Sequence, residues 1–326
     1  MATLASVEAV QLASADGLAA ITLRSPRARF EATVAPSQGG VLSSLRLAGV
    51  GELLHLANHF GEPGPDDWTG QAPLLWPSVG RTYPKAPGPD DAPGSLAYGW
   101  SDGQREWPLP MHGFARHLPW TEYAHGADAE AAWVTLELAA SDASRVFYPA
   151  DFTLHSTWRL DDQGVEQRVT VRGEDELRFA IGNHITLRLA DDDDFNTATL
   201  ATNAVGRLPI LGHGLIGDEP ILDVVAGPNS ITTRWVRDGA LATGPDGWVE
   251  LRTRDYAARL RHWAEQGAEL TRPEDWTFVL HARPLKLFYC PEPWLGRPNA
   301  LTTGHSVIKL PAGQTFEWRW RADIES

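Results

Sequence analysis

Apolar and polar positions alternate with period two through much of the chain, the spacing that puts every second side chain on one face of an extended strand. In Asp151–Leu160 the apolar residues fall at Phe152, Leu154, Trp158 and Leu160. Asp161-Asp162-Gln163-Gly164 then reads as a turn, and alternation resumes at Val165, Val169 and Val171, so the two segments predict a hairpin. Leu177, Phe179 and Ile181 repeat the pattern, as do Phe316, Trp318 and Trp320. Asp255–Gly267 fits two templates. Ala257, Ala258, Leu260, Arg261 and Ala264 suit a helix, whereas Tyr256, Ala258 and Leu260 continue the register of Val249 and Leu251, and we assign a strand. No long amphipathic helix emerges, and 30 glycines and 24 prolines punctuate the short segments. The prediction is an all-β chain folded as a large antiparallel β-sandwich.

The least regular stretch is Gly61–Pro110, turn-rich and polar at Gly61–Asp67 and Lys85–Gly94. A loop of this length in a compact chain is usually functional or disordered. Strands of the same character continue on both sides, which predicts one domain over residues 1–326 with the loop crossing one face. A chain of 326 residues that is 43% hydrophobic can bury roughly three quarters of the surface exposed when unfolded, which excludes a disordered or disulfide-stapled protein.

Charge narrows the partners. Lys+Arg number 28 against 42 Asp+Glu, a net −14 that repels phosphate backbones and anionic lipid, so neither nucleic acid nor membrane is expected. The single cysteine, Cys290, cannot form an internal disulfide and fits a reducing compartment, with the cytoplasm as the expected location. Met1–Glu8 lacks a basic segment followed by an apolar one, and no run approaches the roughly 18 apolar residues of a membrane span.

Three polar residues stand in settings that suggest chemistry. His112 lies in Pro110-Met-His-Gly-Phe-Ala-Arg-His-Leu-Pro-Trp120, where Gly113 permits close backbone approach and the prolines stiffen the loop. His184 follows the strand Leu177–Ile181 through Gly182-Asn183, which lifts the imidazole to a sheet edge. Glu292 sits between two prolines in Tyr289-Cys-Pro-Glu-Pro-Trp294, directly after an apolar strand Leu285–Tyr289. Each also has a plain structural reading: a turn or capping histidine, or a solvated strand end. Asp191–Asp194 lacks the spaced oxygen ligands of a calcium loop and reads as a solvated turn. No Cys/His spacing resembles a zinc site, and no nucleophile elbow, phosphate loop or dinucleotide fingerprint is present, so neither metal nor cofactor is expected. Of 14 tryptophans, Trp76, Trp120 and Trp294 neighbour the candidate residues; aromatic faces stack on the C–H faces of sugars, which suggests a sugar cleft, while most of the 14 read as core residues or sheet pairs.

Four blocks occur in one order: Pro73-Leu-Leu-Trp-Pro-Ser-Val-Gly-Arg81, His112-Gly-Phe-Ala-Arg116 with Pro119-Trp120, Gly182-Asn-His184, and Glu292-Pro-Trp294. In that order they resemble the motifs of the aldose 1-epimerases, the galactose mutarotase-like proteins, and Gln38–Leu45 resembles that family's first glycine-containing hairpin. The resemblance spans about residues 15 to 323. It implies an antiparallel supersandwich with a concave sugar cleft, and interconversion of the α and β anomers of an aldose, acting on a small-molecule sugar or sugar phosphate as a monomer or homodimer. It also implies roles: Glu292 as the base at the C1 hydroxyl, His184 as the acid at the ring oxygen, and Arg81, His112, Arg116 and Trp294 as sugar-holding residues.

Departures bear on the substrate. His184 is followed by Ile185-Thr186-Leu187 where the galactose-type branch carries an aromatic-rich stretch. No position matches that branch's sugar-contacting aspartate, leaving only Asp191–Asp194 and Asp218 as places to look. The Gly-Arg and Glu-Pro-Trp blocks are similar to the hexose-6-phosphate branch, which implies that Arg81, Arg116 or Lys286 meets a phosphate. Two other classes stay open: a noncatalytic sugar-binding protein on the same fold, and a glycoside hydrolase, which needs a second carboxylate roughly 5 to 9.5 Å from Glu292.

Overall fold

The computed structural model describes residues 4–11, 18–56, 70–88, 90–92, 94–224, 226–283 and 286–326. Gly61–Asp67 of the turn-rich stretch, Met1–Thr3 of the N-terminal segment and Leu285, where a strand start was expected, lie outside them. The described chain is built from antiparallel sheets, and its helices are short: Asp142–Arg145, Asp192–Thr197, Arg234–Arg237 and Ala300–Thr303 are the α-helical segments among the described residues.

The largest sheet has nine strands in the order Asn229–Ser230, Thr199–Thr202, Trp248–Arg252, Ala257–Gln266, Thr315–Glu325, Gly164–Gly173, Phe152–Asp161, Ala131–Ala139 and Thr121–Ala127. The expected hairpin is there, with Leu160 opposite Val165 and Leu154 opposite Val171. Its turn is tied by the Asp161 carboxylate, which accepts from the N–H groups of Gln163 and Gly164. Ala257–Gln266 is a strand, with Leu260 opposite Val249 and Ala258 opposite Leu251.

A second sheet of seven strands carries Gly206–Leu208, Asp238–Ala242, Trp276–Arg283, Phe288–Leu295, Ile181–Asn183 and Leu74–Leu75 in order, with Leu187–Arg188 also against Phe288–Leu295. Period two divides this sheet's faces. Trp276, Phe278 and Leu280 point inward, where they join Trp158, Leu260, Phe316 and Trp318 in one apolar core with the five-stranded sheet of Leu23, Phe30, Val34 and Leu45. Thr277, Val279 and His281 therefore face the other way.

The core is not wholly apolar. Trp158, Gln167, Trp320 and His262 lie on one rung across four strands of the large sheet. The buried Gln167 amide gives its N–H to Ser156 Oγ (2.9 Å) and accepts from Trp320 Nε1 (2.7 Å) and Asn183 Nδ2 (3.0 Å). Asn183 belongs to the opposite sheet, so this amide cluster spans the sandwich.

Candidate active site

Strand Phe288–Leu295 pairs along its whole length with Trp276–Arg283 on one side. On its other side Ile181–Asn183 reaches only Leu295 and Trp294, while Leu187–Arg188 reaches only Tyr289 and Phe288. Residues 290–293 thus face a gap in the sheet. The expectation that the strand stops before Glu292 is corrected: Glu292 lies inside it. Pro291 and Pro293, which have no N–H to give, sit where the ladder on that side has no partner to receive one.

The chain between those two short strands carries His184. Its backbone is held by His184 N–H to Pro73 O (3.0 Å) and Thr186 N–H to Gln71 O (2.8 Å), and Asn183 anchors it from below through Ala72 O (3.0 Å) as well as Gln167. His184 Nε2 consequently lies 3.5 Å from Glu292 Oε1, although the residues are 108 positions apart. The carboxylate's second oxygen, Oε2, accepts from Trp294 Nε1 at 3.1 Å. Glu292 is 2% exposed and His184 8%, so the pair is almost wholly excluded from water.

Burial sets the acid–base character. It pushes the Glu292 carboxyl well above the usual carboxylate range, with the Trp294 N–H opposing it, and lowers His184 to about 3. Both shifts favour the uncharged forms, so a proton shared by the pair is held on the carboxyl rather than on the imidazole. Cys290, two residues before Glu292 on the same strand face, has its thiol pushed well up by burial and donates to Thr186 Oγ1 at 3.5 Å.

His112 completes the group. Its ring centroid is 5.2 Å from that of His184 and 5.7 Å from that of Trp294, both edge-on. Its N–H donates to Gly80 O (2.8 Å) while Gly80 N–H donates to His112 Nδ1 (3.1 Å), which leaves the neutral ring its proton on Nε2. Burial holds His112 well below its ordinary range. The expected close approach at Gly113 is real: a Cβ there would sit 2.1 Å from Trp76 O, and its φ is +74°. Gly39, in the first hairpin, likewise abuts the backbone of Arg116, where a Cβ would lie 2.2 Å from the carbonyl oxygen. The charges of Arg116 and Arg81 are both felt at His112, and that of Arg116 at His184.

The structure therefore brings His184, Glu292, His112 and Trp294 together, with the charges of Arg81 and Arg116 reaching His112. Other expectations fail. Trp76 and Trp120 are core residues, Trp76 packed on Phe114, Tyr148, Phe152 and Phe179, and Trp120 bonded to Ala115 O. The aspartates also do structural work. Asp191 caps the helix Asp192–Thr197, Asp194 is buried rather than solvated and accepts from Ala190 and Arg254 N–H, and Asp218 faces Arg297 and His305. The Lys286 charge is felt at His55. Two neighbours of the pair, Cys290 and His281, take no part in the acid–base arrangement and lie outside the motifs that signal it. His281 lies opposite Cys290 and faces Asp238 at 3.7 Å, and the alternation of Phe278 and Leu280 with Val279 and His281 was the available signal. A separate depression of about 500 Å³ on the outer face of the nine-stranded sheet, lined by Tyr123, Trp133, His155 and Arg168 among others, holds none of these groups.

Comparison with known proteins gives a match of residues 20–265 to the family model described as aldose 1-epimerase. Two curated relatives, from Escherichia coli K12 and Salmonella typhimurium LT2, both carry the name "Putative glucose-6-phosphate 1-epimerase". They are 32% identical over 123 residues and 25% identical over 181, which is 38% and 56% of this chain. The matched stretches span only 34% and 53% of those relatives. Among solved structures, a galactose mutarotase-like protein from Clostridium acetobutylicum superimposes with a TM-score of 0.74 at 13% identity, covering 99% of each chain, a likeness of fold.

Proposed function

The chain belongs to the aldose 1-epimerase family, and on that premise we propose that it interconverts the α and β anomers of a hexose, free or 6-phosphorylated, by acid–base ring opening at His184 and Glu292. The observation that carries this reading is the 3.5 Å approach of an imidazole and a carboxylate that are both nearly buried.

Opening a hemiacetal requires one proton to leave the C1 hydroxyl and one to reach the ring oxygen. A pair that shares a single proton suffices. With that proton on His184, Glu292 takes the C1 hydroxyl proton as His184 gives its own to the ring oxygen, and the C1–O5 bond breaks to leave a carbonyl at C1. The pair then has its proton on Glu292, the neutral form that burial favours, so the dry site stabilises the open-chain stage. Rotation about C1–C2 presents the other carbonyl face, and closure returns both protons. Each positioned acid or base supplies about 10²–10⁴-fold.

Trp294 holds the carboxylate, and His112, through Nε2–H, offers a neutral donor to a sugar oxygen. Arg81 and Arg116 add positive charge suited to ring hydroxyls or to a phosphate. The test is polarimetry of freshly dissolved α-glucose, α-galactose and glucose 6-phosphate. The proposal expects faster approach to equilibrium for at least one sugar at catalytic protein concentration. Binding of a sugar without acceleration overturns it in favour of a noncatalytic binding protein.

A further inference from the structure

Cys290, Glu292 and His184 each offer one donor atom, and these three atoms lie within 4.8 Å of one another. Cys290 and Glu292 are two residues apart on one strand, so their side chains leave the same face. His184 enters from the gap in the neighbouring strands, with Nε2 already 3.5 Å from Glu292 Oε1. Because Trp294 engages Oε2, Oε1 is the carboxylate oxygen that faces the imidazole.

The donor set is one nitrogen, one sulfur and one oxygen. Hard ions such as Mg²⁺ and Ca²⁺ select oxygen ligands, whereas imidazole and thiolate together select the zinc class. Bonds of about 2.0–2.3 Å around a tetrahedral zinc place ligand atoms between three and four ångströms apart. The His184–Glu292 separation already meets this, and the sulfur needs only side-chain rotation of about an ångström.

We propose that His184, Cys290 and Glu292 form a reversible binding site for a zinc-class divalent ion, Zn²⁺ or Cd²⁺, with the fourth position open to the cleft, and that the bound ion blocks the acid–base pair. On binding, the Cys290 thiol proton and the proton shared by His184 and Glu292 both go to solvent, and the ion exchanges waters for the three side chains, with no change of oxidation state. The blocking half of the statement rests on the proposed function; the binding half rests on the donor geometry alone.

Cobalt(II) is the probe for binding. The chain has one cysteine, so a thiolate-to-cobalt charge-transfer band reports Cys290 and nothing else. We expect that band at one equivalent, its displacement by Zn²⁺, and reversal by a chelator. C290S is expected to lose the band and to need at least about tenfold more Zn²⁺ for inhibition, with anomer exchange in metal-free buffer unchanged. A wild-type spectrum without a thiolate band, or equal inhibition of wild type and C290S by Zn²⁺, overturns the proposal. Since the spectrum needs no activity, a band in a protein that accelerates no anomer exchange would leave the site standing while refuting the proposed function.

Discussion

Replacing Gln167 by leucine tests whether the sandwich core holds the site in place. The change keeps the volume but removes an amide that satisfies groups from both sheets: the Trp320 and Asn183 N–H donors, at 2.7 and 3.0 Å, and Ser156 Oγ at 2.9 Å. Gln167 and Asn183 are fully buried, so no water replaces the lost acceptor. A buried donor left unpaired costs about 1–3 kcal/mol, and two are orphaned, so unfolding in urea should show a loss of about 2–6 kcal/mol. Asn183 directly precedes His184, and a misplacement of about an ångström at a reacting group can cost 10²-fold. Anomer exchange under fully native conditions should therefore fall in kcat by more than KM rises. A stability change below about 1 kcal/mol would refute the claim that the amide is integral to the core. A destabilised but fully active variant would show that Gln167 does not position His184.

Other expectations follow from single contacts. His262 is buried on the same rung and lowered to about 3 by desolvation, so the folded state resists a proton that the unfolded chain accepts near 6.5. Stability from this group is full above pH 6.5 and is lost as pH falls towards 3, by about 2 kcal/mol at pH 5, and H262Q should flatten that part of a urea-midpoint profile against pH. Trp294→Phe removes the N–H on Glu292 Oε2; kcat should drop about 10–10²-fold with KM nearly constant, and a change in KM alone would make Trp294 a sugar platform instead. Gly113→Ala drives a Cβ to 2.1 Å from Trp76 O at a positive φ, so thermal unfolding should come earlier and activity should fall with the His112 loop; an unchanged melting curve would contradict that close approach.

Much of this was legible in the chain. Alternation through Phe152–Leu160 and Val165–Val171 predicted a hairpin whose partners are in the expected register, because one face of each strand had to be buried. The two inward positions that the apolar series skips are Ser156 and Gln167, and these build the buried amide cluster. A polar residue in a core slot was thus the visible trace of a link between sheets, but its partner, Asn183, comes from a strand whose placement local pattern does not reveal. The ordered blocks around His112, His184 and Glu292 pointed to residues that do converge. The prolines flanking Glu292 signalled a strand end because a central strand rarely tolerates them; they occur mid-strand here only because the neighbouring ladder is interrupted. Trp76 and Trp120 looked like cleft residues by proximity in sequence, yet period two turns Trp76 to the core side.

The most direct test of the central claim is exchange NMR between the α and β C1 protons of a hexose accelerated by the protein, measured for wild type, H184N, E292Q and the double variant. Two groups that pass one proton between them act as a unit, so each single substitution should lower the rate by about 10² or more and the double should fall little further than the worse single. Exchange in E292Q close to wild type, or losses that simply multiply in the double variant, would contradict a shared-proton pair.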